Sequence, residues 1–453
     1  MRRNKRKTIK MSLLMLILLL GIGFAALTAN LKINGTVDVT SSSWDVHFEN
    51  VQITTGSVTA TTVPTSDDAT TTEMTYAVNF TKPGDFYEFT TDVVNDGSID
   101  AMVDVVTNKV YSSDGETERT LPEYLKSSVT YDDGLEILPN QLLEKQTSEK
   151  IKVRVEFRTD IDSSDLPSTA DTIVFKFSGT YKQKNDSAIP IRVDFSTASW
   201  DDIINAYSNN PSSLKKSMED GATKEVQLDL DGDGTPDKTS LLRIANLSTP
   251  AECSTEGFSQ SACGLVIEFA DTITSHRMNP STSAGGWENS DMRAYINSGK
   301  YLEGTENEID YSTSGIYNAL PQELKSRIID TKVVSGHGPN DSKNFTTTDK
   351  LYLLSISEIW EEQDDDPTTG LDYIDTAYNQ TRQLDYYKSK GTKTSWPECQ
   401  AAIKQYNGEN VQWWTRSAEL SWNAVFMGAN YSGQLVEAYT YRTDFVSPAF
   451  RIG

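Results

Sequence analysis

Ile151-Lys152-Val153-Arg154-Val155-Glu156-Phe157 alternates apolar and charged residues at every step. A period of two sends successive side chains to opposite faces of a pleated strand, one face for a core and one for water. The pattern returns at Ile173-Val174-Phe175-Lys176-Phe177 and, less strictly, at Phe86-Tyr87-Glu88-Phe89-Thr90-Thr91-Asp92-Val93-Val94. Between such runs stand turn residues, as in Lys82-Pro83-Gly84-Asp85 and Asn95-Asp96-Gly97. Recurrent short strands at this spacing predict a β-sandwich or jelly roll over residues 30–184. The Thr-rich stretch from Thr54 to Thr75 is expected to be a loop between strands.

Beyond Gln183 the alternation yields to a polar segment, and residues 185–198 read as a linker. A second domain, 199–453, then mixes the two periodicities. Ser199 is placed to cap a helix opening at Trp200-Asp201-Asp202-Ile203-Ile204-Asn205-Ala206-Tyr207. Further helices are expected at Ser290–Asn297, Ile316–Ile329, Ser355–Trp360, Ile374–Lys390 and Pro397–Tyr406. Strands are expected at Thr239–Ile244, Leu265–Phe269, Leu351–Leu354, Trp413–Arg416 and Ala424–Met427. The expected fold class is therefore mainly β plus α+β.

The 453 residues carry a net charge of −24, and residues 1–29 hold six bases and no acid, so the remainder stands at −30. So acidic a surface repels phosphate backbones and anionic headgroups, which argues against nucleic-acid partners and against peripheral binding to acidic membranes. The bases Arg2, Arg3, Lys5, Arg6, Lys7 and Lys10 precede Met11–Ala29, an apolar run broken only by Ser12 and Thr28. This is the layout of an export signal, either cut after a small residue such as Ala25, Ala26 or Ala29 or kept as an anchor. Either way residues 30–453 are expected at the cell surface or outside the cell, with membrane contact only through the leader. Cys253 and Cys263 flank a short polar loop that an exported chain can close with a disulfide, leaving Cys399 over.

Two resemblances rest on particular residues. The leader, Gly35-Thr36-Val37-Asp38-Val39, Trp44-Asp45-Val46-His47-Phe48, Pro83-Gly84-Asp85-Phe86-Tyr87-Glu88-Phe89 and Val94-Asn95-Asp96-Gly97-Ser98-Ile99-Asp100-Ala101 together resemble the camelysin and biofilm-matrix fibre family of Gram-positive bacteria, whose chains carry SipW-type signal peptides. That similarity spans about residues 1–184. A second set is Trp287 through Met292-Arg293-Ala294-Tyr295-Ile296-Asn297, Thr346 through Leu351-Tyr352-Leu353-Leu354-Ser355, Trp413-Trp414-Thr415-Arg416-Ser417 and Val446-Ser447-Pro448-Ala449-Phe450-Arg451-Ile452. It is similar to an uncharacterised domain of bacterial surface proteins, over roughly residues 195–453. The resemblance implies a C-type-lectin-like layout of the kind shared with sulfatase-modifying enzymes. Those enzymes use a cysteine pair, and the C-terminal core here offers Cys399 alone, so their activity is not expected.

The sharpest local pattern is Asp229-Leu230-Asp231-Gly232-Asp233-Gly234-Thr235-Pro236-Asp237. Asp229, Asp231 and Asp233 can surround a cation, Gly234 permits the bend, Thr235 offers its carbonyl and Asp237 can act through water, as at the start of a calcium loop. The twelfth position is Ser240, where an EF-hand needs a bidentate Glu, so any calcium needs a ligand from elsewhere. The bland alternative is a solvated acidic turn. The run Glu361-Glu362-Gln363-Asp364-Asp365-Asp366 reads as a solvated loop.

Near the C-terminus, Trp422, Tyr431, Tyr439 and Tyr441 are candidate ligand-binding rings, able to stack on the apolar faces of surface glycans. Trp413 and Trp414 are neighbours in one strand, so one ring must turn inward, and Arg416 reads as a buried ion-pair partner. No catalytic residue is assigned. The histidines are His47, His276 and His337, far apart and in no H-E-x-x-H, and nucleophile elbows, Walker loops and dinucleotide fingerprints are missing. The expected role is a structural or adhesive module of the bacterial surface or matrix, joined to itself or to other matrix proteins by strand addition. A carbohydrate-binding lectin-like module and a secreted hydrolase are the alternatives.

Overall fold

The computed structural model describes residues 42–54, 56–66, 71–167, 173–304, 307–361, 374–393 and 399–453. The leader, and all of the acidic run after Glu361, lie outside them. No helix among the described residues is long and apolar enough to cross a membrane. The protein is mainly β, with several sheets.

Among the described residues, ten strands form the first part: β1 Val46–Ile53, β2 Ala60–Thr62, β3 Glu73–Val78, β4 Phe86–Asn95, β5 Ala101–Tyr111, β6 Glu118–Arg119, β7 Leu125–Tyr131, β8 Leu142–Leu143, β9 Thr147–Phe157 and β10 Ile173–Gln183. One sheet runs β1-β4-β9-β7 and the other β2-β3-β10-β5-β6, with β8 on β5. The alternation of apolar and charged residues is visible in β9, where Ile151, Val153, Val155 and Phe157 are buried between half-exposed Lys152, Arg154 and Glu156. The sheets face each other through aromatic rings: Phe48 of β1 lies 4.9 Å from Phe177 of β10, and Phe89 of β4 lies 5.2 Å from Tyr76 of β3. β2 and the start of β3 fall inside the Thr-rich stretch expected to be loop, because Ala60 and Thr62 pair with Val78 and Ala77. Thr is a good strand former where a neighbour is at hand, so its abundance there did not mean absence of structure.

A second, separate hydrophobic core gathers residues from Phe195 to Ile452. Its helices are α1 Trp200–Asn209, α2 Lys215–Asp220, α3 Asp291–Ile296, α4 Ile316–Ala319, α5 Gln322–Lys325, α6 Ile356–Ile359 and α7 Asp385–Ser389. Its strands are β11 Thr223–Leu228, β12 Lys238–Asn246, β13 Val266–Phe269, β14 Thr274–Arg277, β15 Lys300–Glu303, β16 Asn307–Asp310, β17 Thr331–Ser335, β18 Phe345–Asp349, β19 Tyr352–Leu353, β20 Lys404–Tyr406, β21 Glu409–Val411, β22 Trp413–Ala418, β23 Val425–Ala429, β24 Leu435–Tyr439, β25 Thr443–Val446 and β26 Pro448–Arg451. They make sheets β11-β12-β13-β26-β19 and β14-β25-β22-β23-β24 and three hairpins.

Ser199 caps α1 by accepting from the Asp202 N–H, and Ser290 caps α3. Three expected helices are cut short. The one expected over 316–329 is split into α4 and α5 because Leu320, ahead of Pro321, is held extended. Within 374–390 only a 3₁₀ turn at Tyr378–Gln380 and α7 form; of 397–406, residues 397 and 398 lie outside the described residues, and in the rest a 3₁₀ turn at Gln400–Ala402 leads into β20.

The polar segment between the cores is pinned at both ends. The Ile189 N–H donates to Asn140 O at 2.9 Å and the Leu142 N–H to Ile189 O at 2.8 Å. Arg192 Nε and Nη1 donate to Asp133 Oδ2 (2.7 Å) and Glu149 Oε2 (2.9 Å), while the Val193 N–H donates to Ser213 O on the second core.

Candidate functional site

The acidic loop joins β11 to β12. Gly232 and Gly234 take φ of 75° and 88°, the left-handed region that glycine enters without a Cβ clash, and so curl the chain around its own carboxylates. Asp229 accepts from the N–H groups of Gly232 (2.8 Å) and Gly234 (2.9 Å), and Asp237 from those of Leu230 and Asp231. Oxygens of Asp229, Asp231 and Asp237 then lie within 4.8 Å of one another. Asp233 is not one of them; its Oδ1 accepts the Thr235 N–H at 2.7 Å. The group therefore has three carboxylates, with Asp237 as a direct member. Such hard oxygen donors match calcium in kind.

The aromatic candidates fall into two places. Trp422 lies in the turn between β22 and β23, and Tyr439 and Tyr441 lie at the turn between β24 and β25. Tyr439 pairs with Val425, and the Thr440 N–H donates to Ala424 O, so both turns belong to one end of the sheet. The Tyr439 and Tyr441 rings stack at 5.5 Å, and Trp422, Tyr439 and Tyr441 are 55%, 45% and 57% exposed. Tyr431 occupies the turn between β23 and β24, at the other end of that hairpin. Five residues of strand separate the ends, about 15 Å at ~3.3 Å per residue. Tyr431 is exposed but stands apart from the other three.

Trp413 and Trp414 are both fully buried, so the expectation that one ring faces inward understates the packing. Neighbours in a strand face opposite sides, so burial of both covers both faces of the sheet; Trp413 Nε1 donates to Ala402 O and Trp414 Nε1 to His276 O, each at 2.9 Å. Arg416, on the same strand, is fully buried in a bidentate pair with Glu358, with Nη1 to Oε2 at 2.6 Å and Nη2 to Oε1 at 2.7 Å. Arg416 holds the Glu358 carboxyl below the usual range against the effect of burial, which by itself raises it. A second buried set joins Arg243 and Lys404 to Glu268 and the Tyr387 hydroxyl. Burial pulls Lys404 down to about 8 despite Glu268. Both networks are sealed within the core.

One partly exposed cluster has no trace in the sequence spacing. His276 stacks on Tyr295 at 4.2 Å, its Nδ1 donates to Arg277 O at 2.8 Å, and its Nε2 lies 3.3 Å from the Tyr311 hydroxyl. Tyr311 donates to Asp291 Oδ1 at 2.6 Å, and Arg277 Nε to Asp291 Oδ2 at 2.8 Å. Burial holds His276 below its ordinary pKa; burial, then the bond to Asp291, raises Tyr311. These residues come from β14, α3 and the segment after β16. Only strand pairing and helix docking bring them together, which is why spacing gave no signal. Cys253 and Cys263 are joined as a disulfide, and Cys399 is half-buried and free.

Residues 265–453 match the family model of a domain of unknown function, DUF6273. The match begins at the edge of β13 and takes in the aromatic turns, the His276 cluster and the Arg416–Glu358 pair, and leaves out the acidic loop. No curated protein and no solved structure matches the chain.

Proposed function

We propose that this chain is an adhesive module of a bacterial surface or extracellular matrix, exported by its leader, that grips a partner through exposed rings and performs no chemistry of its own. The observation that carries the reading is the stacked pair Tyr439–Tyr441 with Trp422 at one end of the β22–β25 sheet, each ring about half exposed. Large rings held on rigid turns offer contact area at little entropic cost, which suits adhesion and suits the apolar faces of sugars. In support, the Arg243–Glu268–Lys404 and Arg416–Glu358 groups lie inside the core, where they serve packing.

On this reading the first part is a jelly roll, with β3-β10-β5-β8 and β1-β4-β9-β7 as its facing four-stranded sheets. The second part is lectin-like. Among the described residues β7 has a strand neighbour along its length on one side only, β9, and is the edge best placed for strand addition by a second copy or another matrix protein. The acidic loop binds calcium weakly, in the millimolar range, through Asp229, Asp231 and Asp237.

The test is retention of the full chain on purified matrix polysaccharide and on a surface-glycan array. Changing Trp422, Tyr439 and Tyr441 together to Ala is expected to abolish retention with the melting temperature unchanged, since the rings are outside the core. Retention that survives the triple change, or turnover of any substrate by the purified protein, overturns the reading.

A further inference from the structure

Between the two cores lies a cleft of about 940 Å³, near the upper end of the ~300–1,000 Å³ typical of ligand pockets. Its walls are fixed. On one side the segment Ala188–Pro190 is tied to β8 and the residues before it; on the other stand the end of α1 and the turn that follows. A cleft with pinned walls needs no ordering when a ligand enters, and preformed sites bind more tightly for that reason.

Asn210 is the group that asks for a ligand. It is only 4% exposed and lines the cleft. Its backbone is satisfied: the N–H donates to Ala206 O, and its carbonyl accepts from the Ser213 N–H and Oγ. Its side-chain amide makes no hydrogen bond among the described residues, although it stands at the cap position of the following 3₁₀ turn. The amide atoms themselves remain within reach of solvent in the cleft, so a ligand that enters takes the place of water on them.

The rest of the lining selects the chemistry. Its one cation, Arg192, is held by Asp133 and Glu149, so no free positive charge awaits a phosphate or a carboxylate. The polar lining includes Asp186 and Asp202 as acceptors, and Asn140, Asn205, Asn209 and Asn210 as combined donors and acceptors, with the hydroxyls of Ser187 and Ser213. Asp202 gives Oδ2 to the Ser199 hydroxyl and keeps Oδ1. Carboxylate beside carboxamide is the pairing that meets vicinal hydroxyls, one accepting and the other donating. Pro139 and Pro190 add apolar surface for C–H faces.

We propose that this cleft is a binding site for a neutral oligosaccharide, with Asn210 as its buried recognition group. The site is separate from the Trp422 end of the β22–β25 sheet and stands or falls without it.

The test titrates the full chain with maltotriose, cellotriose, mannotriose and chitotriose, followed by calorimetry and saturation-transfer NMR. At least one trisaccharide is expected to bind. Asn210→Asp, which keeps shape but loses the donor, is expected to weaken it tenfold or more. Because a buried site can fail to fold when changed, Asn205→Trp serves as the second variant; it sits exposed on α1 and fills the cleft without touching the core, and is expected to abolish binding at an unchanged melting temperature. The Trp422, Tyr439 and Tyr441 triple variant is expected to bind as the parent does. Binding that survives both cleft variants, loss of binding only in the aromatic variant, binding of an extended peptide with no sugar, or no binding of any probe at millimolar concentration overturns the proposal.

Discussion

Arg416 and Glu358 show how much one residue can decide. Both are fully buried, and the pair is completed by Ser355 N–H, Ser261 and Thr381 on the carboxylate and by Leu353 O on the guanidinium. Removing one member strands the other charge, so Arg416→Met is expected to cost about 3–5 kcal/mol in denaturant unfolding. Adding Glu358→Gln removes the stranded charge while keeping an acceptor, and is expected to return part of that loss; a double variant less stable than Arg416→Met contradicts the account. His276 makes a pH prediction. Burial lowers its folded pKa below the ordinary ~6.5, so both states are neutral above that value and its contribution to stability is fully present there. As pH falls below ~6.5 the unfolded chain takes the proton first, and stability declines until the folded ring also titrates. The melting temperature is expected to drop between pH 7 and 5 by less in His276→Phe, which keeps the ring stacked on Tyr295, than in the parent; equal slopes sink the assignment. The role of Arg416 as a buried ion-pair member was legible, because a lone Arg inside an apolar strand has few other uses. The His276 cluster was not, because its members are assembled only by tertiary structure.

Elements were legible in proportion to their periodicity. Alternation identified β9 and, less strictly, β10; the Ser199 cap identified α1, and the four-residue spacing of Met292 and Ile296 identified α3. The expected helices over 316–329, 374–390 and 397–406 shrank because apolar residues at helical spacing also arise in irregular chain that packs on a core, and Pro321 ended one outright. The acidic loop was legible as a turn, but its membership was not: Asp233 caps Thr235 rather than joining Asp229, Asp231 and Asp237. Local backbone bonds decided that. Tyr431 parted from the other rings because the two ends of one hairpin are close in sequence and far apart in space. The loop closed by Cys253 and Cys263, with a separation of 10 residues, carries the prediction at this scale. Closing so short a loop removes about 2–3 kcal/mol of unfolded-state entropy. Changing both cysteines to Ser is expected to lower unfolding free energy by that amount, and reductant to lower the parent to the level of the variant. A variant as stable as the parent under oxidising conditions shows the bond to contribute nothing.

At the scale of the whole molecule, two cores with separate residues are joined by a segment whose polar composition reads as a linker and whose contacts tie it to both cores. Polar residues read as linker when no partner is in view; here Arg192 finds Asp133 and Glu149 and lies 5.4 Å over the Tyr131 ring, and the Lys184 N–H donates to Asp100 O. Asp133 and Glu149 lie far from Arg192 along the chain, so sequence alone had no means of naming them. The pairing is partly exposed, and an exposed pair contributes only about 1 kcal/mol. That is still enough to matter for a local opening, since 1 kcal/mol changes an opening equilibrium roughly fivefold. Trypsin must free several residues around Lys184 before it can cut, and when opening and closing are fast the cutting rate follows the open population. Arg192→Ala is therefore expected to raise the rate of cleavage after Lys184 about fivefold, with little change in the global unfolding midpoint because neither core loses a buried group. Equal cleavage rates in parent and variant mean that the backbone bonds at Ile189 and Val193 hold the junction by themselves; a large fall in the midpoint means that the two cores depend on each other for stability.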